Sequence, residues 1–211
     1  MELILSLGSV LGALLIGAIS PGPSFVLIAR TSMAASRIDG LFASIGMGIG
    51  GVVFSVVVLL GLQAVLASVP WLYLALKLVG GLYLGYLAVR IWRGAKAPIV
   101  IPIAEEGMCR SVKRPFLRGL FTQLSNPKTA VVYGSIFAAL LPHNLPSAAM
   151  IALPLLVFLV EAGWYSIVAF ALSSEPSRAV YLRSKVHVDR VAGGVMGLLG
   201  LKLIAAARPG P

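Results

Sequence analysis

Two short polar breaks interrupt apolar stretches of this chain. The first is Ser20-Pro21-Gly22-Pro23 and the second is Ser125-Asn126-Pro127-Lys128. Proline has no backbone N–H, so it releases the carbonyl four residues earlier from helical bonding. Pro21 and Pro23 thereby free the carbonyls of Gly17 and Ile19, and Pro127 frees that of Gln123. In hydrocarbon, freed carbonyls must find partners, so a broken helix is tolerated only against protein or water. Lys128 adds a cation, and Glu161 is the only carboxylate within an apolar stretch. An ionisable group in such a stretch costs at least ~2.5 kcal/mol at a bilayer centre and marks a solute, ion or proton path by default.

Composition defines the elements that must position these residues. Hydrophobic residues are 59% of the 211, glycines number 23, and charged residues are only 11%. Mean hydropathy is +0.98. A soluble domain needs about 25% charged residues to cover its surface, and a disordered chain lacks this apolar content. At roughly 20 apolar residues per membrane helix, the chain has room for six or seven spans. Six apolar stretches separate along it, at Leu3–Ile28, Gly40–Ala67, Trp71–Val89, Leu117–Leu141, Ala148–Leu172 and Val191–Ala207. The fold expected is an all-α integral membrane protein with six transmembrane helices, spans 1 and 4 being broken. One domain, 1–211, would comprise halves at about 1–93 and 116–207, joined by a polar cytoplasmic loop at 94–115.

Thirteen of the seventeen Lys and Arg residues fall in the connections after spans 1, 3 and 5, counting Arg118 at the very start of span 4. Alternating helices put those three connections on one side, which the positive-inside rule makes cytoplasmic. Both termini then face outward. The +10 net charge is thus a record of topology, and no aromatic-interleaved basic patch points to nucleic acid. The bilayer is the expected surroundings. Met1-Glu2-Leu3 lacks the basic n-region of a cleaved signal peptide, and the lone Cys109 asks for no oxidising compartment.

Depth sharpens the picture. Pro21 lies nine residues from Arg30 and Asn126 eight from Arg118, so both breaks sit roughly 12–14 Å from the cytoplasmic boundary. Glu161, eleven residues from Leu172, sits about 16 Å in. The core half-thickness is about 15 Å, so all three fall near the midplane. A proline kink can serve packing alone, but two breaks, a Lys and a Glu at one depth point to a site.

Other residues read as structural. Lys77 and Lys202 are close enough to an outer boundary to snorkel. Gly46-x-x-x-Gly50 and Gly81-x-x-x-Gly85 are small-residue packing faces, which leaves a homo-oligomer open. His143 and His187 have no second ligand at metal spacing. Lys77-Leu78-Val79-Gly80-Gly81 resembles Arg190-Val191-Ala192-Gly193-Gly194, and spans 1 and 4 each carry Ser before a proline break. Three spans per half is odd, so such halves would be inverted repeats, as in many transporters.

These residues together resemble the LysE/RhtB family of amino-acid exporters (LysE-type translocators). The likeness rests on Ser20-Pro21-Gly22-Pro23, on Gly40 with Gly46-x-x-x-Gly50, and on Lys77 to Leu84. It rests most specifically on Gly119-Leu120-Phe121-Thr122-Gln123-Leu124-Ser125-Asn126-Pro127-Lys128, with Glu161-x-x-Trp164-Tyr165 after it. The resemblance spans nearly the whole chain. The family's acidic position is often Asp and is Glu here, and the usual dense basic run after span 1 is absent.

What the resemblance implies is a secondary transporter, not an enzyme, that needs no cofactor. It would export an amino acid or close derivative across the cytoplasmic (inner) membrane, driven by the proton or membrane-potential gradient. Export of another small solute or ion on the same fold is the alternative. The implied substrate site comprises Ser20, Pro21, Gly22, Pro23, Asn126, Pro127, Lys128 and Glu161. In it Lys128 and the helix start after Pro127 would face the substrate carboxylate. Glu161 and the freed carbonyls would face the ammonium, and Glu161 would couple protons.

Overall fold

A computed structural model describes residues 1–20, 22–68, 70–97, 113–142, 144–173 and 175–207. Among these residues the protein is entirely helical. The helices are α1 (Glu2–Ile19), α2 (Pro23–Ala34), α3 (Arg37–Ser68), α4 (Pro70–Gly94), α5 (Lys113–Leu124), α6 (Pro127–Leu140), α7 (Ser147–Leu172) and α8 (Glu175–Ala205). Three stretches within them, Arg37–Leu62, Leu74–Gly94 and Ser147–Leu172, are helices long and apolar enough to cross a membrane. The pair α1 and α2 meets the same standard together and is bent by 60°.

The breaks fall where the prolines require them. The first apolar stretch divides into α1 and α2, and α2 starts with Pro23. The fourth divides into α5 and α6, and α6 starts with Pro127. Proline suits the first helical position, where its missing N–H has no partner to lose. Pro154 behaves otherwise and is carried inside α7.

Two boundaries differ from the sequence reading. The third stretch does not stop at Val89, since α4 continues to Gly94. The segment read as the fifth connection is largely helix, because α8 begins at Glu175. Its charges lowered the local hydropathy without lowering helix propensity, which Arg, Lys and Glu share with Leu. Pro21, Cys109, His143, Arg208 and most of the 94–115 loop lie outside the described residues.

Close packing comes from the small-residue faces. α3 packs against α5 and α7, α4 packs against α8, and α1 contacts α6, α7 and α8. A Cβ on Gly46 would overlap the Phe116 carbonyl oxygen, and one on Gly119 would overlap that of Ala43. α3 and α5 therefore touch backbone to backbone. Gly81 and Gly200 do the same for α4 and α8, a Cβ on Gly200 falling 2.7 Å from the Gly81 carbonyl oxygen. A buried core of Leu14, Leu84, Val132, Ile136, Phe137, Leu153 and Met196 fills one region, and Phe25, Ile28, Met47 and Val168 fill another. Outward-facing Val57, Val79, Leu82, Leu159, Ile167 and Leu198 are each about two-thirds exposed. An apolar exterior of this extent suits lipid rather than water.

Candidate functional site

The two breaks meet. Ser20 and Gly22 are extended, and α2 then starts with Val26 N donating to the Gly22 carbonyl at 2.9 Å. Across from them Asn126 is extended and caps α6, its Oδ1 accepting from Lys128 N at 3.1 Å. Its Nδ2 reaches the other way and donates to Ser24 Oγ at 3.1 Å. Asn126 thus holds its own helix start and ties it to that of α2.

Lys128 answers the first break. Its Nζ donates to the carbonyl oxygens of Gly17 and Ser20, each at 3.0 Å. Gly17 is one of the two carbonyls expected to be free, and the cation from the second break takes it. A lysine ammonium has three donors, so one has no partner among the described residues. In this conformation Lys128 therefore occupies a carbonyl that the sequence reading offered to a substrate ammonium.

Glu161 lies behind this pair on α7, buried at 3% exposure. Tyr133 OH donates to its Oε1 at 2.9 Å, and Gln123 Nε2 donates to its Oε2 at 3.3 Å. Ser24 Oγ in turn donates to Gln123 Oε1 at 2.7 Å. One polar chain therefore runs Asn126, Ser24, Gln123, Glu161, Tyr133, joining α2, α5, α6 and α7. Buried polar groups survive in an apolar interior only when partnered in this way. Gly51 of α3 makes room for it, since a Cβ there would lie 2.9 Å from Tyr133 OH and 3.2 Å from Glu161 Cγ.

Two spaces adjoin these groups. A small cavity of about 20 Å³ lies among Ser20, Gln123, Lys128, Tyr133 and Glu161. That is room for about one water. A larger vestibule of about 520 Å³ is lined by Tyr83, Arg90, Pro23, Pro127, Lys185 and Asp189, among others. Ser20, Gly22, Asn126 and Lys128 line both, so the two breaks form the partition between them. Sites for small molecules commonly measure roughly 300–1,000 Å³, which the vestibule meets and the inner cavity does not.

The structure thus brings Ser20, Gly22, Asn126, Lys128 and Glu161 around one cavity. Pro23 and Pro127 face only the vestibule, and Pro21 is outside the described residues. Sequence reasoning missed Ser24, Gln123 and Tyr133 as side chains. Gln123 stood inside the most specific motif, so its amide was the one available signal. Lys185 and Asp189 were missed too. Lys185 Nζ donates to the Gly94 and Ala95 carbonyls at 3.2 and 3.0 Å and pairs with Asp189 Oδ2 at 2.7 Å. Their i, i+4 spacing was legible only once the segment was known to be helical.

Comparison with known proteins places the chain in a family. The family model described as LysE type translocator matches residues 15–207. The threonine efflux protein of Escherichia coli (strain K12) is 29% identical over 192 residues, covering 90% of this chain and 93% of that protein. That of Salmonella typhi is 30% identical over 197 residues, covering 90% and 93%. An uncharacterized membrane protein of Haemophilus influenzae is 27% identical over 193 residues, covering 90% and 91%. No solved structure matches the chain. The matched region holds both breaks, Glu161 and the vestibule, and with them the chain belongs to the LysE type translocators, a family of multi-pass membrane exporters rather than enzymes.

Proposed function

We propose that this protein exports an amino acid, with threonine the first candidate, across the cytoplasmic membrane at the expense of the proton gradient. The observation that carries the reading is the position of Lys128. It stands at the partition between a vestibule large enough for an amino acid and a buried carboxylate network, with one ammonium donor unused among the described residues. The vestibule is lined by Arg90 and Lys185, both from the basic side that the positive-inside rule makes cytoplasmic. The conformation is therefore inward-facing, with the path beyond Lys128 closed down to one water.

In this mechanism the substrate carboxylate meets Lys128 and the α6 N-terminus, where the helix dipole favours an anion. Lys128 then leaves the Gly17 and Ser20 carbonyls, which become acceptors for the substrate ammonium beside Glu161. Ser20, Gly22 and Pro23 shape one wall, and Asn126 and Pro127 the other. Glu161 carries the coupling proton. The threonine efflux relatives support the substrate class.

Six spans with both termini outside complete the proposal, α1–α2 and α5–α6 each counting as one broken span. Two inverted three-span halves fit the packing. α3 lies on its counterpart α7, α4 on α8, and α1 and α2 on α6 and α5. Both breaks also restart on a proline after an extended residue.

The test is efflux from cells loaded with threonine-containing dipeptides. The wild type should release threonine faster than cells without the protein, and Lys128→Ala and Glu161→Gln should each lose that release. No release by well-folded, membrane-inserted wild-type protein would refute the substrate reading.

A further inference from the structure

Asp189 has a feature that its salt bridge does not explain. It is buried, at 2% exposure. Its Oδ2 pairs with Lys185, yet its Oδ1 is buried with no hydrogen-bond partner among the described residues. A buried carboxylate oxygen left unpartnered is costly. Lys185 cannot serve it further, because its three donors already go to Gly94, Ala95 and Asp189 Oδ2. Asp189 lines the vestibule together with Arg90 and Lys128. Lys128 lies within electrostatic reach of both Asp189 and Arg90.

We propose that the vestibule is itself a recognition site for an α-amino-acid zwitterion, in which Asp189 Oδ1 accepts from the substrate ammonium while Arg90 and Lys128 hold the carboxylate. The inference rests on the exporter reading and deepens it. A zwitterion placed there satisfies the Asp189 oxygen and the Lys128 donor that have no partner among the described residues. A simple anion would leave Asp189 unsatisfied, and a simple amine would leave Arg90 and Lys128 with no carboxylate to hold. The vestibule thus selects for the pair of charges before the partition opens, and Glu161 acts only after that step.

The experiment is binding to purified protein in detergent by isothermal titration, with L-threonine and N-acetyl-L-threonine as probes. Acetylation removes the ammonium and keeps the carboxylate. Wild-type protein should prefer threonine by about 10- to 100-fold, the range for a charge-assisted hydrogen bond. Asp189→Asn should abolish that preference, while Gly163→Ala, whose added methyl meets nothing within 4 Å and which lines neither space, should keep it. Equal binding of the two probes by the wild type overturns the assignment without any variant, which covers the case of a variant that does not fold. Preference retained by Asp189→Asn overturns Asp189 alone and leaves the exporter reading standing. Wild-type protein that binds neither probe overturns both.

Discussion

A single methyl group on α3 should weaken the polar chain at the centre of the molecule. Gly51→Ala places a Cβ 2.9 Å from Tyr133 OH, 3.2 Å from Glu161 Cγ and 3.3 Å from Val157 Cγ1. Carbon atoms prefer about 3.5–4.0 Å between them, so the Tyr133 hydroxyl must retreat by several tenths of an ångström. It is held by a buried ring and a 2.9 Å bond to Glu161. Overpacking of this kind costs about 1–3 kcal/mol, and the loosened hydrogen bond adds about 1 kcal/mol. Replacing a helical glycine with alanine returns about 1 kcal/mol. The net is a loss of about 1–3 kcal/mol. Gly163→Ala is the control, because it lies two residues from Glu161 on α7 and its Cβ would meet nothing within 4 Å. Thermal unfolding of the purified variants in detergent should place Gly51→Ala below wild type and Gly163→Ala level with it or above. Efflux should fall with Gly51→Ala only. Gly51→Ala at least as stable as Gly163→Ala would refute the claim that α3 presses on the Tyr133–Glu161 pair.

Other perturbations follow from the same contacts. Gly119→Ala sets a Cβ against the Ala43 backbone carbonyl, which no rotamer change relieves, so its unfolding midpoint should fall further than that of Gly51→Ala. Asn126→Ala removes the α6 cap and the link to Ser24; unfolding should show a loss of about 1–2 kcal/mol. Lys185→Met strands the buried Asp189 carboxylate and uncaps the end of α4, a loss of about 3–5 kcal/mol. Lys185→Met combined with Asp189→Leu should recover most of that stability while losing threonine binding, as thermal unfolding and titration of the double variant would show.

Much of this arrangement is legible in the chain. The prolines at 21, 23 and 127 foretell where helices stop, because a missing N–H acts locally and needs no tertiary knowledge. Gly17 was identifiable as a freed carbonyl for the same reason, and it does accept a hydrogen bond. Its partner was not identifiable, since Lys128 is 111 residues away and only the fold joins them. Ser24, Gln123 and Tyr133 were hidden differently. Each is one polar group on an apolar helix, and which way it points depends on the neighbour it meets. The start of α8 is hidden from hydropathy because that index measures apolar character, and a charged stretch of helix looks to it like a connection. Glu175-Pro176 is in fact a helix-start signal, an acid with a proline in the first turn. Reading it so would have put Lys185 and Asp189 one turn apart on the same face.

In the proposed mechanism a proton gradient drives an amino acid past Lys128, with Glu161 as the coupling group. The most direct measurement uses purified protein in liposomes, following labelled threonine with and without an imposed pH difference. Wild-type protein should accumulate threonine against its gradient only when the pH difference is present. Glu161→Gln should still exchange threonine for threonine, yet ignore the pH difference. A Glu161→Gln variant that concentrates threonine as well as wild type would contradict the account.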